Sequence, residues 1–458
     1  MFRRSSEGVS VLQGIIIVVI TVSERDYDVI VVGAGIMGLA SAYHLKIAMP
    51  DKSIVVLEKE SSYSQGNSGR SVSGYRDFFS TVVNQKLSKS SIKFYSYIQK
   101  DLGYDIQMKN VGYMFLMSMS KFDSMKSIIT KLQSSTDLRI LDRSELSKIH
   151  PLILDVDKEE SRALNLQPIE VGVLGRRCGV LEIEKLSSFY YEECRRLGVE
   201  FNFKTQVNSL DVVPRNPSGY PNEPFLWQDK LIGGISTNRG DYSARRYVLT
   251  TGAWTGKLLD RIGVDSHMKA KKRFVYQIGG NSITEMVRTS YGLNDEGLFP
   301  FLVLPSHGVY LRPHPSSGTF WISTSGTTSD QEIGPTFSFD SADDIEYTEP
   351  SDEYFVDNIL PVLRAYMRDM PDMKITGKWT GYYSLNSQDK TPYIFAFLNA
   401  IVATGGSGAG LMKSDSIGRV VASIASGQTE TRLFDGSTIL NSSLGVADRD
   451  VGIETLRF

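Results

Sequence analysis

"YDVIVVGAGIMGLASAYHL", residues 27–45, places Gly33, Gly35 and Gly38 directly after an apolar run. The β-branched stretch "DVIVVG" predicts a buried parallel strand, and "IMGLASAYHLKIA" predicts the helix that follows it. A G-x-G-x-x-G loop at this junction brings free backbone N–H groups and the positive end of the helix dipole together. The stretch therefore predicts a cradle for the pyrophosphate of a dinucleotide.

A second apolar run completes this unit. "SIVVLEKE", residues 53–60, predicts another buried strand ending at Glu58, which lies 20 residues after Gly38 (58 − 38). An acid at this distance accepts hydrogen bonds from the ribose of a dinucleotide. A strand, a glycine loop, a helix, a second strand and an acid in this order predict a Rossmann-like βαβ unit. The alternative is a glycine-rich turn in an unrelated α/β protein.

The composition limits the other classes of function. The chain has 458 residues, which predicts more than one domain, and its net charge of −2 gives no electrostatic reason to expect nucleic-acid binding. Cys178 and Cys194 are the only cysteines, too few for a disulfide scaffold or a cysteine-rich metal site. The five histidines show no metal-ligand spacing, so we expect no metal.

The N-terminal residues 1–25 form an apolar extension. "MFRR" is followed by the apolar run "VSVLQGIIIVVITV", residues 9–22, about 14 residues against the roughly 20 needed to cross a bilayer. The run lacks a small-residue cleavage site, which makes a secretory signal the less favoured interpretation. An added strand, a peripheral membrane contact and an extension upstream of the true start remain as alternatives. We expect a cytoplasmic protein, with membrane association as the open variant.

The segment after Glu58 departs from the pattern of an NAD enzyme. "KESSYSQGNSGRSVSGYRDFF", residues 59–79, is polar and glycine-rich, and it suits an extended ligand lying along it. With "NSGRS" (67–71) and "GYRDFF" (74–79), the sequence resembles the D-amino-acid oxidase/sarcosine oxidase superfamily. Its nearest branch is that of the sarcosine and dimethylglycine dehydrogenases and FOXRED-like proteins. This resemblance implies FAD as the dinucleotide.

Three later blocks support the resemblance, and they occur in the order of the family. They are "YVLTTGAWTGKLLDRIG" (247–263), "GVYLRPHPSSGTFWIS" (308–323) and "WTGYYSLNSQDKTPYI…IVATGGSGAGLMKSDSIGRVVA" (379–422). The implied fold is α/β, with a Rossmann-like FAD-binding domain and an α+β, mixed-sheet substrate domain that are both discontinuous in sequence. We expect the FAD domain at 26–105, 165–265 and 376–440, the substrate domain at 106–164 and 266–375, and a C-terminal tail at 441–458.

The glycine loop and the resemblance together predict the cofactor-binding residues. In the family, the turn "GGSGAGLM" leads into a helix whose first N–H groups face the pyrimidine edge of the flavin. The predicted residues are Gly33, Gly35, Ile36, Met37, Gly38, Glu58, Lys59, Asn67, Ser68, Gly69, Arg70, Ser71, Val207, Thr251, Gly252, Trp254, Gly406, Ser407, Gly408, Ala409, Gly410, Leu411 and Met412.

The chain also departs from its relatives at identifiable positions. Some relatives attach FAD through a histidine in the first flavin loop or a cysteine before the C-terminal block. No histidine lies between residues 45 and 149, and Tyr382 and Tyr383 precede that block. We therefore expect non-covalent FAD. The arginine that grips the substrate carboxylate in D-amino-acid oxidases is missing after Gly381, and Ala409 replaces a histidine that many relatives carry.

The resemblance implies an FAD-dependent oxidoreductase that dehydrogenates the C–N bond of a small amino or N-methyl amino acid such as sarcosine, dimethylglycine or proline. Because an arginine binds a carboxylate through two parallel hydrogen bonds, Arg76 and Arg312 are the candidates for a substrate clamp, with a structural ion pair as the alternative for each. Tyr310 and Tyr383 are candidate walls of the active site, or core residues.

Two other functions stay open. They are oxidation of a 2-hydroxy acid on the same fold, and a FOXRED-like assembly role that holds FAD without turnover. The sequence does not distinguish O₂, a quinone or an electron-transfer protein as the electron acceptor.

Overall fold

A computed structural model describes residues 26–156, 159–324, 339–340, 345–368, 370–447, 449 and 452–456. The apolar run at 9–22, for which we expected a strand or a membrane contact, lies outside these ranges. Within them, no helix combines the length and the apolar character needed to cross a membrane.

The described residues form two large sheets, two small ones and the helices that cover them. The strands are β1 (Asp26–Val32), β2 (Ile54–Leu57), β3 (Gly74–Tyr75), β4 (Tyr113–Met117), β5 (Leu138–Leu141), β6 (Val171–Gly175), β7 (Gly179–Val180), β8 (Glu200–Asn202), β9 (Val207–Pro214), β10 (Lys230–Thr237), β11 (Gly240–Leu249), β12 (Met268–Gly279), β13 (Phe301–Val303), β14 (Val309–His314), β15 (Thr319–Thr324), β16 (Phe339–Asp340), β17 (Lys374–Asn386), β18 (Tyr393–Phe397), β19 (Ala400–Thr404), β20 (Glu430–Arg432) and β21 (Thr438–Leu440). The α-helices are α1 (Ile36–Ala48), α2 (Val82–Lys100), α3 (Met119–Gln133), α4 (Arg143–Leu146), α5 (Glu159–Ala163), α6 (Ile183–Arg196), α7 (Thr255–Leu259), α8 (Asn281–Val287), α9 (Asp352–Tyr354), α10 (Leu360–Tyr366) and α11 (Ser414–Ala425).

The first sheet is built around the predicted βαβ unit. Its main path runs β18-β19-β11-β1-β2-β8, and β10 and β9 extend it from β11 as an antiparallel meander. β1 pairs in parallel with both β2 and β11, and its apolar residues are buried, as a strand covered on both faces requires. Helices α1 and α11 cover one face and meet closely, since a Cβ on Gly418 would lie 2.5 Å from the Ala40 carbonyl oxygen.

The second sheet has nine strands in mixed orientation, with the main path β16-β12-β15-β14-β13-β4-β6-β5. β17 pairs antiparallel with β12 from Met268–Asn386 to Gly279–Lys374, along the whole of β12. This sheet and the first confirm the predicted α/β fold with a separate mixed sheet. Two of its strands, β6 and β17, fall in segments that we assigned to the FAD domain, so the expected junctions at 165 and 376 do not coincide with the sheet boundaries.

The parallel strands of the first sheet end at one edge. Val32 of β1 is paired with Leu57 of β2 and Leu249 of β11, and β19 ends nearby at Thr404. The predicted glycine loop follows β1, Thr250 follows β11, and the second glycine-rich turn follows β19. In open α/β sheets, ligands bind outside this carboxyl edge. The topology thus brings together loops that are more than 350 residues apart (405 − 33).

The segment assigned to a C-terminal tail packs into the protein. Arg449 forms a buried ion pair with Asp389 at 2.8 Å. The Glu454 carboxylate accepts hydrogen bonds from the backbone and side chains of Ser80 and Thr81, just before helix α2. These contacts join the end of the described chain to the segment that follows the flavin loop.

Candidate functional site

Two adjoining cavities lie at the carboxyl edge of the first sheet, with empty volumes of about 950 and 1180 Å³. The first lies between this edge and the second sheet, and the second follows the β1 and β2 ends. Five lining residues belong to both, so the cavities form one elongated groove. The shared residues are Gly35, Asn67, Ser68, Thr250 and Gly252.

Most of the predicted cofactor residues line this groove. In the first cavity these are Gly35, Ile36, Met37, Asn67, Ser68, Arg70, Ser71, Gly252, Gly406, Gly408, Gly410 and Leu411. In the second they are Gly33, Gly35, Glu58, Lys59, Asn67, Ser68, Val207, Thr251, Gly252 and Trp254. Five others support the walls without lining either cavity: Gly38, Gly69, Ser407, Ala409 and Met412.

Gly38 allows helix α1 to lie directly against the β1 end. A Cβ at this position would lie 1.9 Å from the Gly33 carbonyl oxygen and 2.7 Å from the Thr250 hydroxyl. No larger side chain fits without moving the backbone. The amino end of α1 therefore opens onto the groove, where its N–H groups and dipole favour an anion.

Glu58 closes the second cavity at the end of β2. Its carboxylate accepts hydrogen bonds from the N–H of Ala34 at 2.7 Å and from that of Glu60 at 3.0 Å. These bonds hold the acid against the glycine loop, where its remaining lone pairs face the cavity. Next to it, the Lys59 ammonium lies 3.7 Å from the centre of the Trp254 ring.

The polar segment after β2 forms the floor between the cavities. The Ser68 hydroxyl accepts the Ile36 N–H at 3.0 Å, at the first turn of α1. The Asn67 side-chain oxygen accepts the Tyr382 N–H at 2.8 Å and the Tyr347 hydroxyl at 3.1 Å. Asn67 and Ser68 thereby connect the glycine loop with the second sheet.

Arg70 braces the same segment. Its guanidinium lies 3.7 Å from the centre of the Tyr347 ring and donates to the Thr380 carbonyl oxygen at 3.3 Å. Its Nε is buried and has no protein partner. An acceptor on a bound molecule would satisfy this N–H group.

The second glycine-rich turn closes the groove from the opposite side. Gly408 has a φ of +80°, and a Cβ there would lie 2.8 Å from the Tyr383 ring. Cβ atoms on Gly406 and Gly410 would each lie 2.8 Å from the Met37 methyl group. The turn therefore presents bare backbone to the first cavity, as close approach to a flat ring requires.

The helix predicted after this turn begins later than expected. Residues 411–413 form a 3-10 turn, and α11 starts at Ser414. The N–H groups of Ala409 and Lys413 donate to the Gly406 and Gly410 carbonyl oxygens. Gly408 and Gly410, in the same turn, line the first cavity.

The donor set and the glycine contacts fit a dinucleotide. The second cavity holds an acid for the ribose, the α1 end lies where the cavities join, and the first cavity is walled by bare backbone. Among the described residues that line the two cavities, none is a histidine or a cysteine.

The second sheet forms the far wall of the first cavity through seven residues. They are Arg273 and Val275 on β12, Tyr310 on β14, and Gly381, Tyr382, Tyr383 and Ser384 on β17. Arg273 is paired with Gly381, and its guanidinium lies 5.0 Å from the centre of the Tyr383 ring. Burial lowers the pKa of Arg273 from its usual value. The usual pKa of arginine is so high that the side chain is effectively always protonated in proteins.

Two tyrosines border this arginine, as the sequence suggested for the active-site wall. Burial raises the pKa of Tyr310 well above its usual value, and the adjacent Tyr383 raises it further. Tyr310 is therefore neutral in the physiological pH range. Among the described residues that line the first cavity, none is Asp, Glu, His or Lys.

Arg312 does not line the cavity, contrary to its expected role as a clamp. It is fully buried, and one Nη donates to the Leu181 carbonyl oxygen at 3.0 Å and to Glu182 at 3.1 Å. Its guanidinium also lies 4.5 Å from the centre of the Trp321 ring. The structural ion pair is thus the interpretation that the geometry favours.

Arg76 also points away from the cavity. Its guanidinium donates to the carbonyl oxygens of Phe78 and Leu456, and it lies 3.9 Å from the centre of the Phe79 ring. These contacts direct the Arg76 guanidinium toward the C-terminal residues. The place expected for Arg76 and Arg312 is taken by Arg273, which sequence reasoning missed.

Arg273 carries one usable signal in the sequence. In "MKAKKRFVYQIG" it lies two residues before Val275, so both face the same side of β12. A buried charged residue on the inward face of a strand is a candidate for function, but Lys269 and Lys271 share the alternation of Arg273 in β12. Strand β12 lies outside the motif blocks, and nothing in the sequence distinguishes Arg273 from Lys271 as a functional residue.

Comparison with known proteins agrees with this geometry. Residues 28–424 match the family described as FAD dependent oxidoreductase. The FAD-dependent oxidoreductase domain-containing protein 1 of Xenopus laevis is 23% identical over 428 residues, covering 87% of this chain and 78% of that protein. Sarcosine oxidase subunit beta of Rhizobium meliloti is 22% identical over 394 residues, covering 83% and 80%.

A solved structure shows the same fold. The crystal structure of L-proline dehydrogenase from P. horikoshii superposes with a TM-score of 0.67 at 19% identity, covering 88% of this chain and 95% of that one. The aligned part leaves out about an eighth of this chain.

Proposed function

The chain belongs to the FAD-dependent oxidoreductase family, and from that premise we propose that it dehydrogenates the C–N bond of a small amino acid or N-methyl amino acid. It is an enzyme whose cofactor is FAD, held without a covalent bond. The observation that carries the choice of substrate is the placement of Arg273, a buried cation, on the wall of the first cavity.

Arg273 is suited to hold a substrate carboxylate. A guanidinium donates two parallel hydrogen bonds to a carboxylate, and such charge-assisted bonds are strong where water is excluded. The backbone of β12 helps to fix the Arg273 side chain, because one Nη donates to the Lys272 carbonyl oxygen at 3.1 Å. A carboxylate bound there lies beside Tyr383 and Tyr310.

Apolar side chains surround this position. Val72, Ile183 and Val275 line the same cavity, and they keep water from the reacting carbon. An amine in such surroundings favours its neutral form, because burial disfavours the ammonium. When bound, FAD would supply the acceptor for a hydride, which carries both electrons of the C–H bond. The protein contributes orientation by Arg273 and exclusion of water, and it needs no nucleophile.

The related proteins support this substrate class. The relatives and structures found include a sarcosine oxidase subunit and an L-proline dehydrogenase, whose names state a secondary amino acid as substrate. A glycine oxidase from Geobacillus kaustophilus also shares the fold, with a TM-score of 0.65. We propose a substrate of this chemistry, an amino acid small enough for the cavity.

Oxidation of a 2-hydroxy acid is less well supported. That reaction needs a base to take the hydroxyl proton, and the described side chains that line the first cavity include no carboxylate or imidazole. A FOXRED-like assembly role without turnover is the other alternative, and it predicts no reduction of the flavin by any small substrate.

An anaerobic titration tests the proposal. The holoenzyme is mixed with glycine, sarcosine, dimethylglycine, proline, larger amino acids and 2-hydroxy acids, and the visible flavin absorbance is followed. We expect bleaching by at least one amino or N-methyl amino acid. Bleaching by 2-hydroxy acids alone would favour the second reaction, and no bleaching by any compound would favour the assembly role. Reoxidation with O₂, a quinone analogue or an electron-transfer flavoprotein then identifies the acceptor.

A further inference from the structure

An exposed apolar loop projects from the meander of the first sheet. Residues 215–229 connect β9 and β10. Leu226 is 93% exposed, Trp227 is 77% exposed and Tyr220 is 70% exposed. Single apolar side chains on a surface are ordinary, but three large ones on one short loop indicate an interaction site.

The loop is braced internally. At its base, Arg215 pairs with Asp229 at 2.7 Å. The Glu223 carboxylate accepts the Ser218 N–H at 2.8 Å, and the Phe225 ring stacks on the Trp227 ring with 5.8 Å between centres. The loop is therefore tied at its base and at Glu223, and the Trp227 ring is supported by Phe225, which lowers the entropic cost of binding a partner.

The loop base lies at the edge of the sheet where the described chain begins. The Asn399 side chain donates to the carbonyl oxygens of Ile232 on β10 and Arg245 on β11, at 3.0 and 3.3 Å. Arg245 in turn lies 3.9 Å from Asp28 on β1. The chain before Asp26 joins β1 at this edge, and it contains the apolar run at 9–22. The described part of β1 therefore begins at the edge of the sheet where the loop is based.

We propose that the loop at 215–229 is an interfacial anchor that contacts the surface of a lipid bilayer. Tryptophan and tyrosine favour the boundary between headgroups and acyl chains, and a leucine between them inserts more deeply. The formal charges around the loop cancel, with Arg215 and Lys230 against Glu223 and Asp229. Attachment thus depends on apolar contact rather than on anionic lipid, and the carboxyl edge with the cofactor groove stays free.

Quenching of tryptophan fluorescence tests the contact directly. The full-length holoenzyme is mixed with phosphatidylcholine vesicles that carry brominated acyl chains. Residues 1–25 contain no tryptophan, so quenching reports on Trp227, Trp254, Trp321 and Trp379 alone. We expect quenching in the wild type and its loss in Trp227→Phe. Co-sedimentation without quenching, or equal quenching in Trp227→Phe, places the lipid contact elsewhere and overturns the proposal.

A partition assay supplies a matched comparison. Leu226→Ser combined with Trp227→Ser should weaken vesicle binding by about tenfold or more, because both apolar side chains that enter the interface are lost. Val356→Ser, at a 51% exposed apolar position beside the second sheet, should leave binding unchanged. High salt should change little, since exposed charges are not the source of binding. Equal binding by the double variant and the wild type would contradict the proposal. So would a wild type that forms dimers through this loop and ignores vesicles.

Discussion

The Arg273 guanidinium lies 5.0 Å from the centre of the Tyr383 ring, on adjacent strands of the second sheet. The same ring blocks the position that a Cβ on Gly408 would take, 2.8 Å away. Tyr383 therefore contacts both the cation of the cavity wall and the glycine-rich turn. Through this one ring, the second sheet fixes the distance between the proposed carboxylate site and the backbone that borders the cofactor.

Arg273→Met should remove the carboxylate site. We expect kcat/KM for the amino acid to fall about 30- to 1,000-fold, because a charge-assisted bidentate contact is lost. This corresponds to a loss of roughly 2 to 4 kcal/mol in transition-state stabilisation. An amide analogue of the substrate, which carries no negative charge, should lose much less. Steady-state kinetics with both compounds measure the difference.

Arg312→Met is the matched control for that variant. Arg312 is buried against Glu182 outside the cavity, so its loss should affect stability and should change the two activities by the same factor. If Arg312→Met discriminates between acid and amide and Arg273→Met does not, the clamp is Arg312 after all.

Glu58→Ala should weaken FAD binding by about 1.5 to 3 kcal/mol, the usual range for a hydrogen bond to a charged group. The carboxylate lines the second cavity and also accepts the Ala34 N–H, so both the ribose contact and the loop are affected. Titration of the apoprotein with FAD gives the affinity. The absorption spectrum of the reconstituted protein should barely change, and unaltered affinity would refute the ribose contact.

Gly38→Ala should disrupt the cofactor groove through packing alone. The added methyl group would meet the Gly33 carbonyl oxygen at 1.9 Å, and we expect a loss of about 3 kcal/mol in unfolding free energy together with weaker FAD binding. Gly377→Ala is the control, because its methyl group meets nothing closer than 3.6 Å. Denaturant unfolding of both variants with saturating FAD checks the difference, and similar losses in both would contradict the close helix contact.

Lys413 should make stability depend on pH. Burial lowers the pKa of this lysine to about 7, whereas the pKa in an unfolded chain is about 10.4. Between these values the unfolded chain binds a proton that the folded chain does not, so stability rises with pH. From pH 7 to 9 the free energy of unfolding of the wild type should rise by about 2 kcal/mol more than that of Lys413→Met.

Unfolding in urea at pH 7, 8 and 9 measures this gain. The methionine variant also leaves the Asn84 side-chain oxygen without its lysine partner, but that cost is the same at each pH. The slope, rather than the absolute stability, is therefore the test. Equal slopes in the two proteins would show that Lys413 keeps an ordinary pKa.

The sequence was sufficient for the fold and for most of the cofactor groove. Backbone contacts to a dinucleotide require glycine at fixed spacing. Gly33, Gly35 and Gly38 meet this requirement within one short stretch of the sequence. The family matched by residues 28–424 confirms the oxidoreductase and the FAD that the motifs implied. Local chemistry and local spacing were enough for these features.

The substrate side could not be read in the same way. Arg273 reaches the cavity because β12 pairs with β17, and Arg76 leaves it because the carbonyl oxygen of Leu456 binds its guanidinium. Both outcomes depend on pairings between segments that are distant in sequence. Position within a motif favoured Arg76 and Arg312, while side-chain direction, which decides the contact, is a property of the folded sheet.

Glu454 has a consequence for how the protein is made. Its carboxylate receives the N–H groups of Ser80 and Thr81 and the Asn84 amide, while Leu456 enters the core next to Phe78. The segment that follows the flavin loop is translated well before the residues that form hydrogen bonds with it. During synthesis on the ribosome, the amino end of α2 stays solvated for more than 350 residues (454 − 84) before its acceptor arrives. Completion of this part of the protein is thus a late step of folding.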